Sequence, residues 1–226
     1  MSEAQVSETI VRGIVVGAFQ ENCWVIGNRR TGEAVCVDPG DQPEEVLAMA
    51  RDMGVRIKYI ANSHAHIDHI LGVRAVQEAT EARFLLHPGD LEIARGTAAS
   101  AKRWFGVEIE PPPDPDSYLA DNDEIDIDGL KLRVLHTPGH TPGSVCFYAD
   151  GVLFAGDTLF AGSIGRTDLP GGDERQEMSS IVDRLLLLPD ETIVLPGHME
   201  QTTIGRERER NPYIRMELAR RAQESR

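Results

Sequence analysis

The sequence predicts an α/β fold in which two β-sheets pack face to face with helices on the outside. The chain divides into two halves, each with several short strands followed by alternating helices and strands, and no linker separates them. Its 226 residues, of which 41% are hydrophobic, can bury a substantial core. We therefore expect a single domain over residues 1–226.

The first half begins with three predicted strands, VRGIVVGAF, ENCWVIG and EAVCVD. A helix should follow within DPGDQPEEVLAMARDMG, because Pro43 suits a first helical turn and Gly54 can end the helix. One face of this helix is apolar: Val46, Leu47, Ala50 and Met53. The pattern then predicts a strand in VRIKYIANS, an amphipathic helix in DHILGVRAVQEATEA and a strand in RFLLH.

The second half begins after a weakly patterned stretch between Pro88 and Ser117. We expect a short helix there, followed by an irregular surface segment that ends in PPPDPD. Four strands follow in quick succession, EIDID, LKLRVLH, SVCFYAD and VLFAGD. The remaining elements are a helix in MSSIVDRLLLL, a strand in ETIVLP and a final helix in NPYIRMELARRAQ.

Charge and composition limit the partners and the compartment. The net charge is −14, which disfavours nucleic acid, and the alternating charges of RERER (206–210) are typical of a solvated helix face. The sequence has no apolar run long enough to span a membrane and no secretory signal at MSEAQVSETI. Cys23, Cys36 and Cys146 lie in strand-like segments and read as buried small hydrophobes in a reducing compartment. We expect a cytoplasmic protein.

The strongest chemical signal is the segment SHAHIDH at 63–69, directly after a predicted strand. His64 and His66 are two residues apart in an extended segment and should point to the same side. Asp68 and His69 follow where the chain enters a helix, so the two pairs can serve two neighbouring metal ions. Three imidazoles this close would repel one another if protonated, and a metal requires their neutral form. An exposed histidine cluster, the alternative, fits poorly with the apolar surroundings.

Three further candidate ligands stand at the ends of other predicted strands. His140 lies in TPGHTPG, a loop stiffened by two prolines. Asp157 ends the apolar strand GVLFAGD, and a position between two cations would give its carboxylate a partner. His198 ends TIVLPGH in the same way. The repeated pattern of strand followed by ligand favours a two-metal site.

With these residues the chain resembles hydrolases of the metallo-β-lactamase superfamily and, more narrowly, short bacterial glyoxalase II-like proteins, or hydroxyacylglutathione hydrolases. The likeness covers nearly the whole chain, through ENCWVI, VDPG, SHAHIDH, LHTPGHTPGSV, AGDTLFAGSIGRTDLPGGD, LPGH and TTIGRERERNP. HxHxDH with the later His, Asp and His is specific for the superfamily, and GDTLF…GRTD…GGD for this branch. The fold implied is an αββα four-layer sandwich.

The resemblance implies two divalent metal ions, with zinc first and iron or manganese as alternatives. Asp38 in VDPG matches a family aspartate that supports the metal-binding loop. Arg166 in GRTD is a candidate contact for an anionic substrate, the alternative being a loop-stapling pair with Asp168. The implied ligands are His64, His66 and His140 for one ion, Asp68, His69 and His198 for the other, and Asp157 between them.

The activity implied is hydrolysis of a small-molecule thioester or ester, such as hydroxyacylglutathione, by a metal-bridging hydroxide that Asp68 orients or deprotonates. The sequence offers no separate general acid, and a thiolate, whose thiol has a pKa of about 8.5, can leave without one. Two departures concern the substrate. Little chain follows His198 to form the basic helical extension that holds glutathione in longer glyoxalase II enzymes, and MEQ replaces the usual glycine-proline after that histidine.

Other activities use the same scaffold. A persulfide dioxygenase would hold a single iron with His64, His140 and Asp157, and a lactone hydrolase would need nearly the same site. A secreted β-lactamase is disfavoured because Asp157 stands where many of those enzymes have cysteine, and a nuclease because of the length and acidic charge. A metal-binding protein without activity is disfavoured by the intact ligand set. The sequence gives no indication of the oligomeric state. His87 and His136 are expected to be structural, hydrogen-bonded histidines.

Overall fold

The computed structural model describes residues 8–224 of the chain. The first half contributes six strands and four helices in chain order. They are β1 (Thr9–Val16), β2 (Glu21–Asn28), β3 (Glu33–Val37), α1 (Pro43–Asp52), β4 (Arg56–Ala61), α2 (Ile67–Ile70), α3 (Val73–Thr80), β5 (Arg83–Leu86), α4 (Leu91–Phe105) and β6 (Ser117–Tyr118), with a 3-10 turn at Pro88–Asp90.

The second half supplies eight strands and three helices. They are β7 (Glu124–Ile127), β8 (Leu130–His136), β9 (Val145–Ala149), β10 (Val152–Gly156), β11 (Leu159–Phe160), β12 (Ser163–Ile164), α5 (Glu174–Asp183), β13 (Ile193–Pro196), β14 (Thr202–Thr203), α6 (Ile204–Arg210) and α7 (Pro212–Glu224), with a 3-10 turn at Leu185–Leu187.

The strands form two six-stranded sheets, ordered β1-β2-β3-β4-β5-β6 and β14-β13-β10-β9-β8-β7, and a two-stranded ribbon of β11 and β12. In the first sheet β3, β4, β5 and β6 run parallel, whereas β1 and β2 are antiparallel to their neighbours. In the second sheet β10 and β13 are parallel, and β7, β8, β9 and β10 alternate in direction. The carboxyl ends of β3, β4, β8, β10 and β13 therefore lie at the same edge of the molecule.

The two sheets pack face to face. Val35 and Val37 of the first sheet share one buried cluster with Val134, Phe147 and Phe154 of the second. A second cluster fills the space between the outer face of the first sheet and α1, α3 and α4, and a third lies between the second sheet and α5, α6 and α7. The predicted four-layer αββα arrangement is confirmed.

Two predicted elements differ from the structure, and four short strands were not predicted. The single helix expected in DHILGVRAVQEATEA is split into α2 and α3 at Gly72, whose amide donates to the carbonyl of Pro39 at 2.8 Å. The helix expected after Pro88 is not short, because α4 has 15 residues. The two-residue strands β6, β11, β12 and β14 were not predicted, since so short a segment carries no periodicity.

The surface segment RERER belongs to α6. Most of its residues are solvated, as predicted, but Glu207 is buried and accepts hydrogen bonds from the Gly162 amide and the Thr202 hydroxyl. Cys23, Cys36 and Cys146 are buried free thiols, as expected. Within residues 8–224 no helix is both long and apolar enough to cross a membrane.

Candidate metal centre

All seven predicted ligands converge at the common edge where the carboxyl ends of the central strands meet. The segment that carries His64 to His69 follows β4, His140 lies in the loop after β8, and Asp157 and His198 follow β10 and β13. Three groups of potential ligand atoms each lie within 4.8 Å of one another: His64, His66 and His140; Asp68, His69 and His198; and Asp38, His64 and His69.

The three-histidine cluster consists of His64, His66 and His140. The Nε2 atom of His140 lies 3.2 Å from His64 Nε2 and 2.8 Å from His66 Nδ1. Burial and the neighbouring imidazoles hold the pKa of His64 well below its ordinary value and lower that of His66 to about 4, and burial also lowers the pKa of His140. The three rings are therefore neutral near pH 7, which is the state that a metal requires.

The second cluster is built from Asp68, His69 and His198. His198 Nε2 lies 3.1 Å from Asp68 Oδ2, and His69 Nε2 lies 4.0 Å from the same oxygen. Burial alone would raise the pKa of Asp68, but the contact with His198 and the charge of His69 outweigh it, so the pKa falls. The side chains of Asp68 and His198 are 18% and 22% exposed, whereas His69 is fully buried, so this side of the centre opens to solvent.

Asp157 stands between the clusters. Its Oδ1 atom lies 3.4 Å from His69 Nε2, and its Oδ2 atom lies 3.7 Å from both His140 Nε2 and His198 Nε2. Burial opposes the ionisation of Asp157, but the surrounding histidines outweigh it and hold its pKa below the ordinary range. One carboxylate thus faces ligand atoms of both clusters, which is the position predicted for a bridging ligand.

The unpaired atoms of the centre test whether it suits a metal. His69 Nε2 and Asp157 Oδ1 are both buried without a hydrogen-bond partner. Buried polar atoms are rarely left unpaired, and an ion between them would satisfy both. Imidazole nitrogens and carboxylate oxygens are the donors that zinc, iron and manganese accept. The donor set therefore fits divalent transition metal ions.

Hydrogen bonds behind the histidines fix which ring nitrogen faces the centre. His69 Nδ1 donates to Asp38 Oδ2 at 3.1 Å, and His64 Nδ1 lies 3.0 Å from Ser63 Oγ, which itself donates to Asp38 Oδ2. Asp38 Oδ1 also accepts the Ser63 amide at 2.6 Å. The Asp38 carboxylate therefore engages the Nδ1 side of both rings, directly for His69 and through Ser63 for His64. The Nε2 atoms of both rings remain available to a metal, in line with the supporting role predicted for Asp38.

Three buried acids around the centre were not predicted from the sequence. Asp90 bonds the loops that carry the histidines, and Glu177 Oε2 accepts the His140 amide at 2.8 Å. Glu21 lies with its Oε1 3.9 Å from His69 Nδ1, and burial raises its pKa well above the ordinary value. Asp90 lies in the motif HPGD directly after a strand, which is the one signal that could have identified it.

The remaining sequence candidates lie around the loop of His140. The Arg166 guanidinium is exposed and pairs with Asp168 through two hydrogen bonds of 2.7 and 2.8 Å, while its carbonyl accepts His140 Nδ1 at 2.7 Å. The backbone of Arg166 thus orients a predicted ligand, and its substrate role stays a prediction. His136 Nε2 donates to the Pro142 carbonyl, and the ring of His87 stacks on that of His136 with centroids 4.1 Å apart.

Residues 16–198 of the chain, which include all seven candidate ligands, match the Metallo-beta-lactamase superfamily. The chain belongs to that superfamily. The resemblance inferred from the sequence motifs is confirmed. The solved structure of BLEG-1 B3 metallo-beta-lactamase shares the fold. It is 37% identical, has a TM-score of 0.84, and the match covers 91% of this chain and 99% of that one.

Other superfamily members are similar over comparable lengths. Hydroxyacylglutathione hydrolase GloC of Haemophilus influenzae is 34% identical, with 89% of this chain and 96% of that protein covered. The structure of TTHA1623 in a di-iron-bound form is 40% identical with a TM-score of 0.80, covering 89% and 99% of the two chains. ETHE1 from Myxococcus xanthus is 28% identical with a TM-score of 0.76, covering 90% and 83%.

Proposed function

We propose that the chain is a binuclear metal-dependent hydrolase of small-molecule thioesters such as hydroxyacylglutathione. The observation that carries the proposal is the position of Asp157 between two complete three-ligand clusters. Similarity to a hydroxyacylglutathione hydrolase over nearly the whole of both chains supports the choice of substrate class. Zinc is the first candidate metal, and similarity to a structure with di-iron keeps iron as an alternative.

Divalent ions bound at such a site lower the pKa of water from about 15.7 to about 7 and polarise a carbonyl group. His64, His66 and His140 would hold one ion and Asp68, His69 and His198 the other. Asp68 lies on the side of the centre that opens to solvent, and its pKa is lowered, so its carboxylate is ionised near pH 7. It is therefore placed to orient an attacking water molecule and to accept its proton.

The leaving group favours a thioester over an amide. A thiol has a pKa of about 8.5, so a thiolate departs without a general acid, whereas an amide nitrogen needs a proton. The carboxylates beside the candidate ligands have other partners or lie deep in the protein: Asp38 and Asp90 accept several hydrogen bonds, and Glu21 is buried behind His69. None of these three is placed to protonate a departing group.

The competing function is a mononuclear iron oxygenase on the same scaffold, which the sequence motifs also allow. It would use His64, His140 and Asp157 alone. In the structure His66 Nδ1 lies 2.8 Å from His140 Nε2, and the second cluster is complete beside them. This arrangement supports two ions rather than one. A lactone hydrolase would need the same groups and differs only in its substrate.

The test is elemental analysis of the protein purified without chelator, paired with activity assays. We expect about two transition metal ions per chain and hydrolysis of a hydroxyacylglutathione thioester, with a lactone and a β-lactam as comparison substrates. Oxygen uptake with glutathione persulfide, together with one iron per chain, would instead establish the competing function. A chain that takes up no transition metal after one is supplied would refute the proposal.

A further inference from the structure

Asp90 is a buried acid that hydrogen-bonds both segments of the three-histidine cluster. Its Oδ2 atom accepts the Ala65 amide and the Thr141 hydroxyl, each at 2.9 Å, and its Oδ1 atom accepts the Gly143 amide at 2.7 Å. Its exposed fraction is 0%. We propose that Asp90 is a positioning residue that fixes His140 against His64 and His66, and so sets how tightly this cluster holds its metal ion.

The three partners of Asp90 stand next to the candidate ligands. Ala65 lies between His64 and His66, so its amide is part of the turn that aims both rings. Thr141 follows His140 directly, and Gly143 closes the same loop. The Asp90 carboxylate therefore links two distant backbone segments by hydrogen bonds. The ligands that these segments carry are far apart in sequence, with His66 and His140 separated by 74 positions.

Packing leaves this contact little freedom. A Cβ atom on Gly143 would lie 2.6 Å from both the backbone nitrogen and the Oδ1 atom of Asp90, and one on Gly89 would lie 2.9 Å from the Pro142 carbonyl oxygen. The backbones of the HPGD segment and the His140 loop thus touch directly, and the stacked rings of His87 and His136 continue the same contact. Only glycine permits this approach, so the Asp90 carboxylate is held at hydrogen-bond distance from its donors.

The inference rests on the metal binding proposed above and concerns one of its two clusters. The hydrogen bonds of Asp90 in the described part of the chain go to the His64–His66 turn and the His140 loop. Asp68, His69 and His198 are held instead by Asp38 and by contacts with one another. Loss of the Asp90 carboxylate should therefore weaken the binding of one ion and spare that of the other.

The test compares Asp90→Asn with Glu207→Gln. Asparagine keeps the shape of Asp90, but its NH2 group replaces one carboxylate oxygen. That group cannot accept the hydrogen bonds that the oxygen accepted. Glu207 is a matched control, because it is also a buried acid that accepts a backbone amide and a threonine hydroxyl, yet it bonds no candidate ligand. We expect Asp90→Asn to weaken binding of one ion by about tenfold or more, and Glu207→Gln to leave both affinities unchanged.

A His198→Ala background identifies which ion is affected. In that background the second cluster lacks a ligand. The zinc affinity, measured by competition with a chromophoric chelator, then reports the affinity of the three-histidine cluster alone. The Asp90→Asn, His198→Ala double variant should show the full tenfold loss. The assignment of Asp90 to the three-histidine cluster would be overturned by either of two results. One is a folded double variant with the same zinc affinity as His198→Ala, and the other is an equal loss of affinity in Glu207→Gln, His198→Ala.

Circular dichroism and thermal denaturation of the metal-free proteins check folding. If Asp90→Asn does not fold, Thr141→Val removes only one donor to the carboxylate and should weaken the same ion by a smaller factor. Unchanged zinc affinity in a folded Thr141→Val variant would then contradict the proposal. Failure of the proposed function would look different, because the wild-type chain itself would bind no zinc.

Discussion

At the scale of single residues, Asp38 concentrates several functions in one side chain. It accepts hydrogen bonds from the Ser63 amide, the Ser63 hydroxyl and His69 Nδ1, and it is buried. Its backbone has a φ of 51°, a left-handed conformation that aspartate tolerates better than most residues do. The VDPG turn therefore requires aspartate both for its conformation and for the orientation of His64 and His69.

Asp68 is the residue on which the proposed chemistry depends most. We expect Asp68→Ala to lower the kcat for thioester hydrolysis by at least about 100-fold, the usual contribution of a positioned acid or base. Asp126→Ala is the control, because Asp126 is an exposed residue of β7 whose carboxylate accepts the Gly129 amide. Steady-state kinetics with a circular dichroism spectrum of each variant measure the effect. Turnover close to wild type in Asp68→Ala would remove this residue from the mechanism.

The candidate ligands could be predicted from sequence because each follows a strand, and parallel strands bring their ends together. The acids that hold those ligands could not be predicted in the same way. Asp90 and Glu177 act by accepting backbone amides of distant loops. A carboxylate of that kind has no spacing rule, and apart from the position of Asp90 after a strand, these acids resemble ordinary solvated acids in the sequence.

At the scale of elements, the junction between the VDPG turn and α2 explains why one predicted helix became two. The Gly72 amide donates to Pro39, and a Cβ atom at Gly72 would lie 2.6 Å from the Pro39 carbonyl oxygen. Helical periodicity continues through this point, so only the tertiary contact reveals the break between α2 and α3. The break turns Asp68 and His69 toward the centre while α3 packs on the sheet.

Gly40 provides a test of this junction. A Cβ atom there would lie 1.8 Å from the Asp68 carbonyl oxygen, so Gly40→Ala must push α2 away from the turn. We expect the free energy of unfolding to fall by about 1–3 kcal/mol, as for other overpacked sites. Urea denaturation of the metal-free protein measures it, and an unchanged midpoint would argue against the close approach.

Gly96 is the matched control for that substitution. It lies within α4, and a Cβ atom there meets nothing within 4 Å. Gly96→Ala should therefore raise the free energy of unfolding, by up to about 1 kcal/mol, because alanine has the higher helix propensity. Opposite signs for the two glycine substitutions would show that the contact at Gly40, rather than the loss of glycine, is what matters.

At the scale of the whole molecule, the centre lies between the two halves of the chain. Asp68 and His69 come from the first half, whereas Asp157 and His198 come from the second. Without an ion, His69 Nε2 and Asp157 Oδ1 remain buried and unpaired, which costs stability. Metal should therefore stabilise the packing of one sheet on the other.

Removal of metal measures this effect. An ion present at about 100 times its Kd adds about 2.7 kcal/mol, and each kcal/mol moves the Tm of a domain of this size by about 2–4 °C. We expect a chelator to lower the Tm by about 5–10 °C per ion, measured by differential scanning calorimetry. The same chelator saturated with zinc is the control, and identical melting curves would contradict the prediction.

A second property of the whole fold is its response to acid. Burial, reinforced by the neighbouring His136, lowers the pKa of His87 from 6.5 to about 4. Because the folded chain disfavours the protonated ring, the contribution of His87 is fully present above pH 6.5 and is lost as the pH falls toward 4. The metal-free His87→Gln variant should lose less stability than the wild type over this range.

Urea denaturation at several pH values between 7 and 4 provides the comparison. The wild-type and His87→Gln proteins share every other titrating group, so the difference between their two pH profiles isolates His87. Parallel profiles would show that the ring titrates normally in the folded chain.

The division of the ligands along the chain also sets the order in which they are synthesised. All three histidines of the first cluster are present once residue 140 has been added, and the shared carboxylate of Asp157 follows soon after. The second cluster needs His198, so it cannot form until nearly nine-tenths of the 226 residues have been synthesised. A nascent chain therefore passes through a stage in which one cluster has all its donors and the other does not.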